Sequence, residues 1–262
     1  TRTLPGDFQD EFYQSSVLAA DGMLVVIAGT LFGLDAATGE IVWEGDARKS
    51  EGTHSSPALW MSPSGPRVLA NLSGGMTACF DLRDGRELWR VRTVGGQATP
   101  IVVNDLLLTY GNSRQKGLRC FRMTDATATP VWEFHGTQDK GSSPVVVGDY
   151  VFVQGEKRVA CVNLHTGAAE WTAELDLASP QYTSLIAADG KVFYAYDGLT
   201  AFHATPGAFQ PFLQARFHRD GLMASDAELR RLLKLDEVER QPNGLEQATR
   251  IFDREVGRQG PL

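Results

Sequence analysis

The chain has 262 residues, 42% hydrophobic and 22% charged, with a formal net charge of −7. That length can bury a sizeable core as one large domain or two smaller ones, and an acidic chain whose basic residues are scattered excludes the basic patch of a nucleic-acid binder. The longest apolar stretch, residues 23–34, is broken by Gly and Thr and falls short of the ~18 to 20 residues a membrane-spanning helix needs.

Residues 1–13 have no signal-peptide core and read as a linker or the end of a preceding unit. From residue 14 onward a repeat dominates. LFGLDAATGEIVW (31–43), TACFDLRDGRELW (77–89), LRCFRMTDATATPVW (118–132) and VACVNLHTGAAEW (159–171) are copies of one pattern, and LTAFHATPG (199–207) is a weaker copy without the tryptophan. A second marker precedes each copy: QSSV (14–17), HSSP (54–57), QATP (97–100), GSSP (141–144) and YTSL (182–185). Both markers recur every ~40 to 45 residues, which is the sequence signature of a repeat architecture.

Each unit reads as four short strands rich in Val, Phe and Tyr and bounded by Gly and Asp. In the fourth unit they are residues 142–147, 150–154, 158–164 and 168–174. Gly39, Gly85, Gly167 and Gly207 fall where the last hairpin needs positive φ, and Asp35, Asp81 and Asn163 can hydrogen-bond that turn. The third unit has two extra residues and Pro130, which predicts a longer last hairpin. Four-stranded antiparallel units of this length stack around an axis as blades of a β-propeller, because one sheet alone cannot bury both faces. The fold class is therefore all-β, with five repeat units in residues 14–222.

Trp43, Trp89, Trp132 and Trp171 each lie on the outermost strand, where an indole can dock against the neighbouring blade. Trp60 lies outside the motif and reads as core or loop packing. Cys79, Cys120 and Cys161 align with Gly33 and Ala201 at a small-residue position. Packed sheets stand ~10 Å apart and a disulfide spans Cα separations only up to ~7 Å, so these cysteines are expected to stay unpaired. After about residue 223 the pattern changes. Ser225 and Glu228 form a capping-box pair, and two stripes of apolar residues flank the turn at 241–244. Residues 223–262 thus read as a helical hairpin, either an insertion packed on the propeller or a tail free to bind a partner.

The stretches LFGLDAATGEIVW and SSPVVVGDYVFV resemble the pyrroloquinoline-quinone-like propeller repeat, and the likeness extends over residues 14–215. That resemblance implies one of two branches. Quinoprotein dehydrogenases bind pyrroloquinoline quinone and calcium on the axis and carry a vicinal Cys-Cys disulfide and an Asp base. This chain has no adjacent cysteines, and no metal ligand or base can be carried across. The other branch is non-catalytic and includes the outer-membrane assembly lipoprotein. It implies a scaffold outside the cytoplasm, in the periplasm or cell envelope, that needs no cofactor and binds protein or carbohydrate partners. The alternative is a quinone- and calcium-dependent alcohol or sugar dehydrogenase whose catalytic residues lie outside this chain. Members usually close with seven or eight blades, so five units favour a piece of a larger ring.

Propellers bind ligands at the mouth where the innermost strands begin. The second marker places Gln14, His54, Gln97, Gly141 and Tyr182 at one equivalent position there, varying while the following Ser or Thr hardly does. Gln14, His54, Gln97 and Tyr182 are the partner-binding candidates. The remaining histidines, His135, His165, His203 and His218, fall in turns or strand ends. The carboxylates Asp10, Glu11, Glu51 and Asp139 lie in linkers with nothing to pair them, and no catalytic residue is assigned.

Overall fold

The computed structural model describes residues 4, 15–45, 54–72, 74–175, 182–196 and 198–216. The helical hairpin read at 223–262, and Gln14, lie outside these residues. Of the segment 1–13, Leu4 is described, and it packs against Ala28, Phe32 and Leu34.

Twenty strands form five four-stranded antiparallel sheets, each in simple up-and-down order. Blade 1 is β1 (Leu18–Ala20), β2 (Met23–Ala28), β3 (Thr30–Asp35) and β4 (Ile41–Gly45). Blade 2 is β5 (Ala58–Ser62), β6 (Gly65–Leu72), β7 (Met76–Asp81) and β8 (Glu87–Arg92). Blade 3 is β9 (Ile101–Val103), β10 (Leu106–Tyr110), β11 (Leu118–Met123) and β12 (Ala128–Phe134). Blade 4 is β13 (Val145–Val147), β14 (Tyr150–Gly155), β15 (Arg158–Asn163) and β16 (Ala169–Glu174). Blade 5 is β17 (Ile186–Ala188), β18 (Lys191–Ala195), β19 (Gly198–His203) and β20 (Pro211–Arg216). The architecture is the β-propeller arrangement that the repeat predicts.

The core lies between the blades. One apolar cluster joins Val25, Leu31 and Trp43 of blade 1 to Val68, Phe80 and Leu82 of blade 2. Three further clusters join blades 2 to 3, 3 to 4 and 4 to 5 in the same way. Alternation along each strand sends one set of side chains forward and the other back, so the middle strands are buried on both faces.

The motif residues form these joints. Each motif tryptophan lies on the fourth strand, opposite the small residue of the third: Gly33 with Trp43, Cys79 with Trp89, Cys120 with Trp132 and Cys161 with Trp171. Each indole Nε1 donates across to the next blade: Trp43 to the Leu82 carbonyl at 2.9 Å, Trp89 to Thr124 at 3.0 Å, Trp132 to Leu164 at 2.7 Å and Trp171 to Thr205 at 2.8 Å. Trp43 lies so close over Gly33 that an added Cβ would stand 2.0 Å from its Cε2. The three cysteines are buried and unpaired, and burial pushes each thiol up to about 12.

A bulge follows the small residue in every blade and leaves one extra residue on the fourth strand. It turns Val42, Val131 and Phe212 outward, which is why these apolar side chains are exposed. In blade 3 the two extra residues lengthen the ladder instead of the loop. The last hairpin closes in a short turn, Thr124 N–H to Thr127 O at 2.8 Å, and Pro130 sits on the outer edge, where no amide is needed. Gly39, Gly85 and Gly167 take φ of 73°, 70° and 74°, as their turns require. Gly207 does not: the blade 5 loop spans residues 204–210, which moves it out of the left-handed position.

Candidate functional site

The five Ser/Thr markers lie at the mouth, each at the start of an innermost strand. A hydroxyl–amide ladder runs through them. The Ser16 N–H donates to Ser56 Oγ at 2.8 Å, Ser56 N–H to Thr99 Oγ1 at 3.1 Å, Thr99 N–H to Ser143 Oγ at 3.0 Å and Ser143 N–H to Ser184 Oγ at 3.0 Å. Blades 2 to 5 thus each supply a hydroxyl acceptor to the backbone of the blade before. This explains why the markers hold Ser or Thr while the residue two places earlier is free to vary.

The ladder brings some of the variable residues together. Tyr182 packs its ring over Gly141, where an added Cβ would meet Tyr182 Cδ1 at 2.6 Å and Gln97 Cβ at 3.5 Å. Gln97, Gly141 and Tyr182, from three successive linkers, therefore form one surface. The Tyr182 side is 52% exposed, and Gln97 Oε1 is buried with no hydrogen-bond partner. His54 is half-buried in the turn before β5.

Asp139, which the sequence leaves unpaired in a linker, organises this surface. Its buried Oδ1 accepts from the N–H of Gly141 at 2.9 Å, Ser142 at 2.7 Å and Tyr182 at 3.1 Å. Tyr182 has φ of 63°, a conformation uncommon for an aromatic residue and held only when its surroundings enforce it. The Asp139 carboxylate supplies that enforcement and aims the ring outward.

Beneath the mouth lies a buried polar layer missed by sequence reasoning. Asn71, Tyr110 and Gln154 occupy one equivalent position on the second strands of blades 2, 3 and 4. Asn71 Nδ2 donates to Ala98 O at 2.8 Å. Tyr110 donates to Gln154 O at 3.0 Å and accepts from the Thr137 hydroxyl at 2.9 Å, and Gln154 Nε2 donates to Thr183 O at 2.7 Å. Each clamps the linker leading to the next blade. One signal was available: a polar residue breaking the apolar run of a doubly buried strand.

A family model described as outer membrane protein assembly factor BamB matches residues 3–136 and again 122–210. The chain belongs to this family. No curated protein matches it significantly. Among solved structures, BamB from Moraxella catarrhalis is similar at 17% identity with a TM-score of 0.59, over 78% of this chain and 62% of that one. Quinohemoprotein alcohol dehydrogenase from Comamonas testosteroni is similar at 14% identity with a TM-score of 0.60, over 84% and 46%. The computationally designed Ika8 protein is similar at 14% identity with a TM-score of 0.53, over 74% and 56%. The chain spans less than two thirds of the length of each of these structures. Their likeness shows the propeller fold.

The quinone branch asks for calcium ligands. Among the described residues no group of three or more His, Cys, Asp or Glu side chains is placed to hold a metal ion. The buried cysteines sit one per blade and not as neighbours. Also among the described residues, no helix is long and apolar enough to cross a membrane.

Proposed function

We propose that the chain is part of a non-catalytic, extracytoplasmic scaffold that holds a protein partner at the mouth of the propeller and uses no cofactor. The observation that carries this reading is the surface of Gln97, Gly141 and Tyr182, held by the buried Asp139 carboxylate. An aromatic ring with a polar tip, fixed before binding, buries contact area at little entropic cost. The family match supports a role in assembling envelope proteins.

The test is photo-crosslinking in the native host. A benzophenone amino acid replaces Tyr182 in the full-length protein, with the exposed Val42 position, remote from the mouth, as control. A discrete adduct with an envelope protein from position 182 and none from position 42 is expected. No adduct, or an identical set from both positions, overturns the reading. So does dye reduction by the full-length protein after addition of pyrroloquinoline quinone and calcium, which would establish the dehydrogenase alternative. Specific retention on polysaccharide resins without a protein adduct would replace the protein partner with a carbohydrate.

A further inference from the structure

Two local departures from the repeat meet in space at the end of the blades opposite the mouth. In four blades the innermost strand has three residues; β5 has five, because Met61 and Ser62 extend its hairpin by pairing with Pro66 and Gly65. The second departure is the lengthened last hairpin of blade 3, with its extra pair Met123 and Ala128. The tips of these extensions bond to each other: Ser62 Oγ and Ser64 Oγ donate to the Asp125 carboxylate at 2.7 and 2.6 Å.

Between them opens a cleft of about 630 Å³, lined by Trp60, Met61, Met123, Asn104, Asp105 and Asp125 among others. That volume lies within the range of binding pockets, which pair an apolar lining with a few placed polar groups. Trp60 is the one tryptophan outside the repeat motif, and it forms the floor at 2% exposure, whereas Met61 stands 67% exposed at the rim. Methionines suit an adaptable apolar contact.

The rim is acidic. Asp125 is held below the usual carboxylate range by the Ser64 and Ser62 hydroxyls. The nearest guanidinium nitrogen, Arg67 Nε, stands 3.7 Å away, and Arg67 also pairs with Asp81. Asp105 pairs with Arg122 at the surface. Two carboxylates, Asp105 and Asp125, thus line the cleft beside its apolar floor, and Arg67 divides its charge between Asp125 and Asp81.

We infer that this cleft is a second docking site, which takes an extended peptide segment presenting an apolar side chain next to a basic one. It is separate from the mouth, so its test does not depend on the scaffold reading there. The protein is labelled with ¹³C at its methionine methyls and titrated with an acetylated, amidated heptapeptide, Leu-Lys-Leu flanked by Gly and Ser. Saturable shifts of the Met61 and Met123 methyls are expected, with Met23 and Met76 unmoved. Replacing the peptide Lys by Glu, or both Leu by Ala, weakens binding about tenfold, an order expected for losing one anchor. Asp125→Asn weakens it about fivefold, as for a partly exposed ion pair, and Asp105→Asn, outside the hairpin contact, weakens it in the same sense. Absence of a saturable Met61 shift at millimolar peptide overturns the inference. Equal binding of the Glu peptide, or indifference to both Asp variants, overturns it as well.

Discussion

The joints between blades and the forward face of blade 5 are built from equivalent positions, yet they carry different chemistry. Inside the array the position opposite the small residue is a tryptophan, 7% exposed in Trp43 and 8% in Trp132. On blade 5 the same position, opposite Ala201, is Leu213 at 37% exposure, and Ile186, at the other edge of the same cross-strand row, reaches 65%. The indole is present where a following sheet offers both an apolar face and a carbonyl for Nε1. Among the described residues, the tryptophan is found on the four blades that a further sheet follows. Blade 4 is intermediate. Trp171 is half-buried, and its neighbours Phe202 and Phe209 lie with ring centroids 6.0 and 5.6 Å away, so aromatic packing there accompanies a less enclosed joint.

Breaking a joint should separate the two regions most. Trp132→Ala removes a buried indole and its bond to Leu164, and is expected to cost ~3 to 5 kcal/mol in urea unfolding. Leu213→Ala, at a position 37% exposed, is expected to cost ~1 kcal/mol or less. Equal losses would erase the distinction. Overfilling a joint comes next. Gly33→Ala drives a Cβ into Trp43, and calorimetry should show a loss of ~1 to 3 kcal/mol, the usual range for overpacking.

Loosening the ladder at the mouth has a smaller effect. Ser143→Ala leaves the Thr99 amide without its acceptor, and ~1 kcal/mol is expected in thermal unfolding. Ser143→Thr keeps the hydroxyl and should restore most of it.

The smallest effect at neutral pH concerns the thiols. Cys79, Cys120 and Cys161 report on the joints between blades 2 and 3, 3 and 4, and 4 and 5. With their pKa raised from 9.0 to about 12 by burial, they stay protonated in the native state. Ellman's reagent at pH 8 should label them only as joints open, Cys161 first because its joint is the least enclosed. The unfolded chain releases these protons from about pH 9 upward while the folded chain holds them. The unfolded state then binds fewer protons, so stability falls as pH rises from about 9 towards 12. A flat stability profile across that window would show the thiols to be accessible.

Much of the fold was legible because the repeat prints each constraint five times. The strand limits in blade 4 match the sequence reading within a few residues, the largest difference being residues 142–144. Those three precede the strand because Ser143 bonds to neighbouring blades instead of to β14. Gly207 was misread because the spacing within a single strand-turn motif cannot show that the following loop is longer. The mouth was legible only as a row of equivalent positions. That Gln97, Gly141 and Tyr182 converge follows from the close approach of the Tyr182 ring to Gly141, and that approach depends on a carboxylate 43 residues away. Asp139 stood out only as an unpaired linker carboxylate, and its organising role was not legible, since Gly95 and Pro180 at its equivalent positions gave it no pattern to stand on.

The sequence by itself determined the local rules: alternation set the strands, positive-φ glycines the turns, and the Trp and Ser markers the period. Each of these acts over a few residues, so short-range sterics and burial suffice to specify it. Tertiary structure alone decided which departures from the period meet. Ser62 and Ser64 reach Asp125 across more than 60 residues of chain, and Asp139 reaches Tyr182 in the next linker, because stacking the blades turns sequence-distant hairpin tips into neighbours. No spacing along the chain encodes that proximity; it exists only once the sheets have packed.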